Sequence, residues 1–238
     1  TTGEQHAGGM SSKVRGVFSG INPGTASIEF ITIATRANAT DFGDLTVATR
    51  DKTPNSNNHG GLQEFHPRAP ELYSPTGTVV PRGSGAGNVG LVVGGELAPG
   101  GVATQVQVLD INTLGNTSNF GDMPTGAKDM ACVSSSTRLV KGGGRTPSIS
   151  NTIESIEFAT KGNGADFGDL TATRRNVGGF SNETRGLIAG GSTPSYVNNI
   201  DYVTIASASN ATDFGDLTVA RRTSNSGAGS STRAIFSG

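Results

Sequence analysis

Carboxylates recur in four short strings of this chain: Asp41-Phe42-Gly43-Asp44, Asn119-Phe120-Gly121-Asp122, Asp166-Phe167-Gly168-Asp169 and Asp213-Phe214-Gly215-Asp216. Two carboxylates three residues apart could hold a cation. Calcium, however, takes six to eight oxygens, and each string offers two at most, without EF-hand spacing. The same residues suit a tight turn, in which Gly takes positive φ and Asp accepts hydrogen bonds from nearby backbone N–H groups. The strings are therefore expected to be structural turns, with no metal. Three histidines are present, His6, His59 and His66. The last two lie seven apart in a Pro-rich stretch and read as surface residues rather than ligands. Cys132 is the single cysteine, so neither an intramolecular disulfide nor a Cys-ligated zinc is expected. No Gly-x-Ser-x-Gly elbow stands in a strand–helix setting, and Gly83-Ser84-Gly85-Ala86-Gly87 reads as a flexible loop. The chain is expected to be no enzyme and to carry no cofactor.

Cations also recur. Arg15, Arg138, Arg185 and Arg233 each open a short apolar stretch, and Arg50, Arg175 and Arg222 form a second series. A circle of Arg could hold sulfated or carboxylated glycans. Alternatively each Arg pairs with a turn Asp of its own or the next unit. With 18 Lys plus Arg against 19 Asp plus Glu and a net charge of −1, pairing is expected. The same balance argues against nucleic acid or an anionic membrane as a partner. The variable loops 22–27, 96–104, 145–152 and 192–199 are where binding is expected on a rigid scaffold. Tyr196, with Asn198, Asn199 and Arg145, forms the candidate ligand set, because an aromatic face with amides suits a sugar.

Positioning such residues is the task of a repeat. The last three Phe-Gly-Asp strings stand 47 residues apart and the first gap is 78. Each unit holds a Gly-rich segment, an Arg-to-Gly strand, an Ile-rich strand, the Phe-Gly-Asp turn and a Thr-Ala-Arg strand. Candidate strands are 5–8 residues long, and no window sustains a helical period. Glycine fills 36 of 238 positions and apolar residues 33%, so sparse apolar groups must be buried efficiently. The longest apolar runs, such as Leu91-Val92-Val93, are far below the ~20 residues of a membrane span. No basic-then-apolar leader opens the chain, and a start at Thr1 suggests processing or a partial polypeptide. The strands Ile28-Glu29-Phe30-Ile31-Thr32-Ile33 and Ile200-Asp201-Tyr202-Val203-Thr204-Ile205 are apolar on both faces, which argues for sheets covered on both sides. The expected fold is an all-β propeller of about five blades, four full and a half, in a single domain 1–238. The segment 58–87 is expected to be a loop insertion. An open half blade leaves strand edges free, which invites a homo-oligomer.

The order of Arg strand, Gly-Gly, Ile-rich strand, turn and terminal Arg resembles the kelch type of blade, with Phe42, Phe120, Phe167 and Phe214 standing where that type has Trp. The wording from Thr184 to Arg222, with Asn57–Leu62, is similar to kelch-like repeats in virion proteins of tailed phages of marine bacteria, especially cyanophages. This resemblance implies a non-catalytic structural or tail-fibre-type protein of a virus particle. Its partners would be other virion proteins or cell-surface glycans. A free lectin-like propeller is the alternative, and a kelch-type oxidase, which would need a Cys–Tyr crosslink and a His pair, comes third.

Overall fold

The computed structural model describes residues 8–12, 14–19, 25–57, 88–97, 100–223, 227–230 and 232–238. Every described element is a strand. Sheet I comprises β1 (Gly8–Ser11), β2 (Arg15–Ser19), β3 (Ser27–Thr32) and β4 (Thr40–Asp44). Sheet II comprises β5 (Thr53–Ser56), β6 (Val89–Val93), β7 (Gln105–Asp110) and β8 (Ser118–Asp122). Then come β9 (Ala131–Ser134) and β10 (Arg138–Gly142), the small hairpin β11 (Arg145–Thr146) with β12 (Ser148–Ile149), and β13 (Thr152–Glu157) with β14 (Ala165–Asp169). Sheet III has the order β14-β13-β10-β9. Sheet IV repeats this with β15 (Gly178–Ser181), β16 (Arg185–Ala189), the small hairpin β17 (Ser192–Thr193) with β18 (Ser195–Tyr196), β19 (Asn199–Thr204) and β20 (Thr212–Asp216). A terminal hairpin, β21 (Ala228–Gly229) with β22 (Ala234–Ile235), follows. All four large sheets are antiparallel meanders of four strands, and the architecture is all-β and propeller-like. The segment 58–87 and all three histidines lie outside the described residues.

The first strand of each sheet is short and built from small residues, and these strands neighbour one another in chain order. Small side chains let four backbones converge where larger ones would collide. The chain enters the second strands β2, β10, β16 and β22 through turns specified in the same way. The side-chain oxygens of Ser12, Ser135, Asn182 and Ser230 accept from the backbone N–H of Arg15, Arg138, Arg185 and Arg233. This is the local competition of Ser and Asn with the ladder that favours them at turns.

The Phe-Gly-Asp strings are not turns. They form the outermost strands β4, β8, β14 and β20. The residues that look like turn formers mark a β-bulge instead. Pairing slips between Ile28 and Glu29, Val106 and Gln107, Ile153 and Glu154, and Ile200 and Asp201. Gly43, Gly168 and Gly215 take φ of +145°, +150° and +139° opposite that slip. Gly within a strand commonly signals a bulge or a close backbone approach. Both hold here: a Cβ on Gly43 would stand 2.5 Å from the carbonyl oxygen of Gly115 in the next sheet. The expected Thr-Ala-Arg strand is also absent. Residues 45–52 and 170–177 are connectors from an outer strand to the next inner one, and their only strand-type pairing among the described residues is the isolated bridges at Arg50 and Arg175.

Apolar burial occurs between sheets. Met10, Val17, Phe42, Val92 and Ile111 join sheets I and II. Leu91, Phe120, Met130, Leu139 and Ile156 join II and III. Val133, Val140, Phe167, Ile188 and Val203 join III and IV. Each interface also joins polar groups in a repeated way. Arg15 Nη1 donates to the carbonyls of Ile111 (3.2 Å) and Asn112 (2.7 Å), and Arg138 Nη1 to that of Ile205 (2.9 Å). The amide oxygens of Asn116, Asn163 and Asn210 accept from the backbone N–H of Asp44, Asp122 and Asp169 at 2.9, 3.1 and 3.0 Å. Gln107, Glu154 and Asp201, equivalent residues of the third strands, are buried and accept from Thr46, Thr125 and Thr171 of the preceding sheet. At the III–IV interface Arg174 completes the set with a fully buried ion pair to Asp201 at 2.7 Å.

Candidate functional site

The inner strands surround a cavity of about 440 Å³ lined by residues of β1, β5, β9, β15 and β21. Each described strand end in the series carries a serine that reaches back to the previous strand. Ser56 Oγ donates to Ser11 O (2.8 Å), Ser134 Oγ to Ser56 O (2.7 Å) and Ser181 Oγ to Ser134 O (2.8 Å). These hydroxyls give the strand-end carbonyls a hydrogen-bond partner, which is what a buried backbone group requires. The cavity wall is otherwise backbone, small apolar groups and Phe18 and Phe180, with no buried carboxylate or histidine among its described lining.

The opposite ends of these strands form a charged mouth. Asp51, Asp129 and Asn176 precede β5, β9 and β15 at equivalent positions and have φ of 54°, 60° and 54°. Asp and Asn are the non-glycine residues that accept the left-handed region most readily. The same end holds the Gly-Gly segments and the small hairpins, because Arg50, Lys128 and Arg175 bridge to Glu96, Arg145 and Ser192. Glu96 accepts from Arg50 Nε at 3.0 Å and is ion-paired with Lys128, and these bonds hold its carboxyl down to about 2. Asp129 lies 3.7 Å from Arg145 Nη2. Its carboxyl is pushed above the usual range, first by burial and then by the neighbouring Asp51. The side chains named at this end carry both signs, with Arg50, Lys128, Arg145, Arg175 and Arg222 beside Asp51, Glu96 and Asp129.

The four candidate ligand residues fall at this end, each with a different neighbour. Tyr196 is 56% exposed at the end of β18, opposite Ser192, and the Arg222 guanidinium lies 5.4 Å from its ring centroid. Arg145 is engaged with Asp129 and belongs to sheet III's hairpin. The carbonyl of Asn198 accepts from Leu217 N. The carbonyl of Asn199 accepts from Gly190 N and Arg174 Nη1. The combination that could grip a ligand is thus Tyr196 with Arg222, an aromatic face with a cation already stacked on it.

The Arg series also needs correction. Arg15 and Arg138 do join neighbouring sheets, but through backbone carbonyls and not through the Phe-Gly-Asp carboxylates. The carboxylate partner of Arg138 is Glu157, directly across the ladder. Arg15 and Arg185 stack on Phe30 and Tyr202, at 4.9 and 5.4 Å, and Arg233 is exposed. Aligned carbonyls at strand ends offer the guanidinium fork acceptors within the interface, while the Asp side chains point outward. Cys132 is buried with Leu91, Met130 and Leu139, and burial pushes its thiol up to about 12, so it stays protonated and inert.

The interface asparagines went unnoticed in the sequence although a signal was there. Asn38, Asn116, Asn163 and Asn210 each stand four residues before the Phe of a Phe-Gly-Asp string. Lys128 likewise fills the place of Arg50 and Arg175, a match hidden by the drift of the second copy.

No family model matches the chain, and no curated protein matches it. Among solved structures the chain is similar to one described as "Structure of YjhT", with 8% sequence identity and a TM-score of 0.64 over 92% of this chain and 67% of that one. A likeness at that identity supports the propeller-like fold and carries no activity with it.

Proposed function

We propose that the chain is a non-catalytic, kelch-like β-propeller of about five blades, four complete and one half, serving as a structural or tail-fibre-type component of a virus particle. Its charged mouth is the working face, and it holds a carboxylated or sulfated host-surface glycan or an acidic patch of a neighbouring virion protein. The observation that carries this reading is Tyr196 under Arg222: an exposed aromatic held on a two-strand hairpin, with a guanidinium beside it. A sugar ring stacks on the tyrosine while its anionic group meets Arg222. The fixed hairpin keeps the ordering cost of binding small, and the guanidinium of Arg222 beside the ring favours an acidic partner.

A glycan array tests the binding step. Acidic glycans should be retained by the wild-type chain and lost from Tyr196→Ala and Arg222→Ala. An array without hits removes the glycan and leaves the protein partner. Mass spectrometry of purified particles tests the setting, since a free lectin would be missing from them.

A further inference from the structure

Sheets II, III and IV each carry a row of three paired residues at the mouth. A connector cation comes first, the residue after Gly-Gly second, and an apolar or aromatic residue third: Arg50, Glu96 and Val102; Lys128, Arg145 and Ile149; Arg175, Ser192 and Tyr196. The first two residues of every row exchange both backbone hydrogen bonds, at 2.7 to 3.2 Å, so their side chains leave the ladder on one side. The middle residue then decides what the cation meets. Glu96 accepts from Arg50 Nε at 3.0 Å and also pairs with Lys128, the cation of the next row. In sheet III the middle residue is Arg145, with Asp129 3.7 Å away. In sheet IV it is Ser192, whose buried hydroxyl has no hydrogen-bond partner among the described residues, and Arg175 Nε is likewise buried and unpartnered. Asp129 feels the charge of Arg175 but is not ion-paired with it. Arg222, the next cation of the series, stands 47 residues after Arg175, as Arg175 does after Lys128. Sheet IV therefore has counterparts of both cations that hold Glu96, a short side chain in place of the glutamate, and Tyr196 where the other rows have Val102 and Ile149.

We propose that the space above Ser192 is a carboxylate seat, filled by the acid group of a uronic acid residue whose ring stacks on Tyr196. The incoming carboxylate stands between Arg175 and Arg222, where the chain's own Glu96 stands between Arg50 and Lys128. The inference rests on the reading of Tyr196 and Arg222 as a glycan-binding pair, and it narrows acidic glycans to carboxylated ones. Arg175 is half-buried with its Nε covered, and Arg222 and Tyr196 are exposed, so the sugar arrives from the solvent side and meets the ends of both guanidinium groups. A planar carboxylate matches that fork. Ser192 contributes by being short: it leaves open the place that a glutamate fills in sheet II.

The test is an NMR titration of the full chain with methyl glucuronide, following the Nε–Hε signals of Arg175 and Arg222, with methyl glucoside and glucose 6-sulfate as comparisons. The glucuronide should shift both signals and saturate, and each comparison sugar should bind roughly tenfold more weakly or worse. Ser192→Glu places the chain's own carboxylate in the seat, so it should move the Arg175 signal without ligand and abolish glucuronide binding. Ser192→Ala keeps the space and should bind within about threefold of wild type. Arg175→Gln, which needs no new space, should weaken binding roughly tenfold and carries the test if Ser192→Glu does not fold. No glucuronide shift, or binding undiminished by Ser192→Glu or Arg175→Gln, overturns the seat. Equal binding of the sulfate overturns the restriction to carboxylates. Sulfated glycans held on the array through Tyr196 and Arg222, with Arg175 unmoved by the glucuronide, overturn the seat while the glycan-binding pair stands; an array without acidic hits removes the pair itself.

Discussion

Sheets III and IV are written in nearly the same residues and end in different environments. Ala165-Asp166-Phe167-Gly168-Asp169-Leu170 and Thr212-Asp213-Phe214-Gly215-Asp216-Leu217 occupy the same outer strand and its exit. Phe167 is 3% exposed and Phe214 51%. Asp169 N–H is capped by Asn210, and no described residue holds the corresponding place beside Asp216. At the other end Glu29 is exposed on sheet I, although its equivalents Gln107, Glu154 and Asp201 are buried. In a repeat protein a residue's burial is set by the neighbouring unit, and stability is close to a sum of unit and interface contributions. The first leading face and the last trailing face differ from the rest because nothing described stands against them.

That contrast can be broken by paired substitutions. The largest effect is expected at the buried charge. Arg174→Ala strands Asp201 in the III–IV interface and should cost about 3–5 kcal/mol; Arg221→Ala, its counterpart on the open face, should leave urea unfolding nearly unchanged. Equal losses would mean that Arg221 has a buried partner. The aromatic pair comes next. Phe167→Ala should cost about 3–4 kcal/mol, against less than about 1 kcal/mol for Phe214→Ala, whose side chain is half in water. Phe214 thus departs from the other three phenylalanines, although all four stand where kelch-type blades have Trp. A smaller split is expected at the loop amides: Asn163→Ala should lose about 1 kcal/mol, while Asn38→Ala on the open leading face should lose almost nothing.

The fourth comparison is with pH. Glu96 has its folded pKa held down to about 2 by hydrogen bonds from Arg50 and Lys128, from an ordinary 4.5. A depressed carboxylate pKa means that the unfolded state takes up the proton first. The stability it contributes is therefore complete above pH 4.5 and lost as pH falls toward 2. Calorimetry of Glu96→Gln against wild type should show a gap in Tm at pH 7 that narrows through this window. A gap that persists at pH 2 would place the acid sensitivity elsewhere.

The sequence made the repeat and the all-β class legible because Phe-Gly-Asp and Arg-to-Gly markers recur in fixed register and the Ile-rich strands are apolar on both faces. It misled where local chemistry has two uses. Asp-Phe-Gly-Asp satisfies a turn and a bulged outer strand equally well, and only the pairing slip beside Glu29 or Asp201 decides between them. The arginines looked like partners for Asp, yet carbonyls at strand ends are invisible in a one-letter string. Tyr196 was legible as an exposed aromatic in a variable loop. Its pairing with Arg222, 26 residues on, depends on how the connector returns to the mouth. The serine ladder at the axis was hidden because serine is common here and only the convergence of strands gives Ser56, Ser134 and Ser181 a shared role.

Native-state hydrogen exchange at four equivalent amides tests the account most directly. Asp44, Asp122 and Asp169 N–H are each bonded to an Asn of the following sheet, and they should exchange only on opening of that interface. The Asp216 amide should exchange much faster, as an exposed strand end does. Equal slow exchange at all four would show that sheet IV is covered like the others, and the distinction between built and open interfaces would fall.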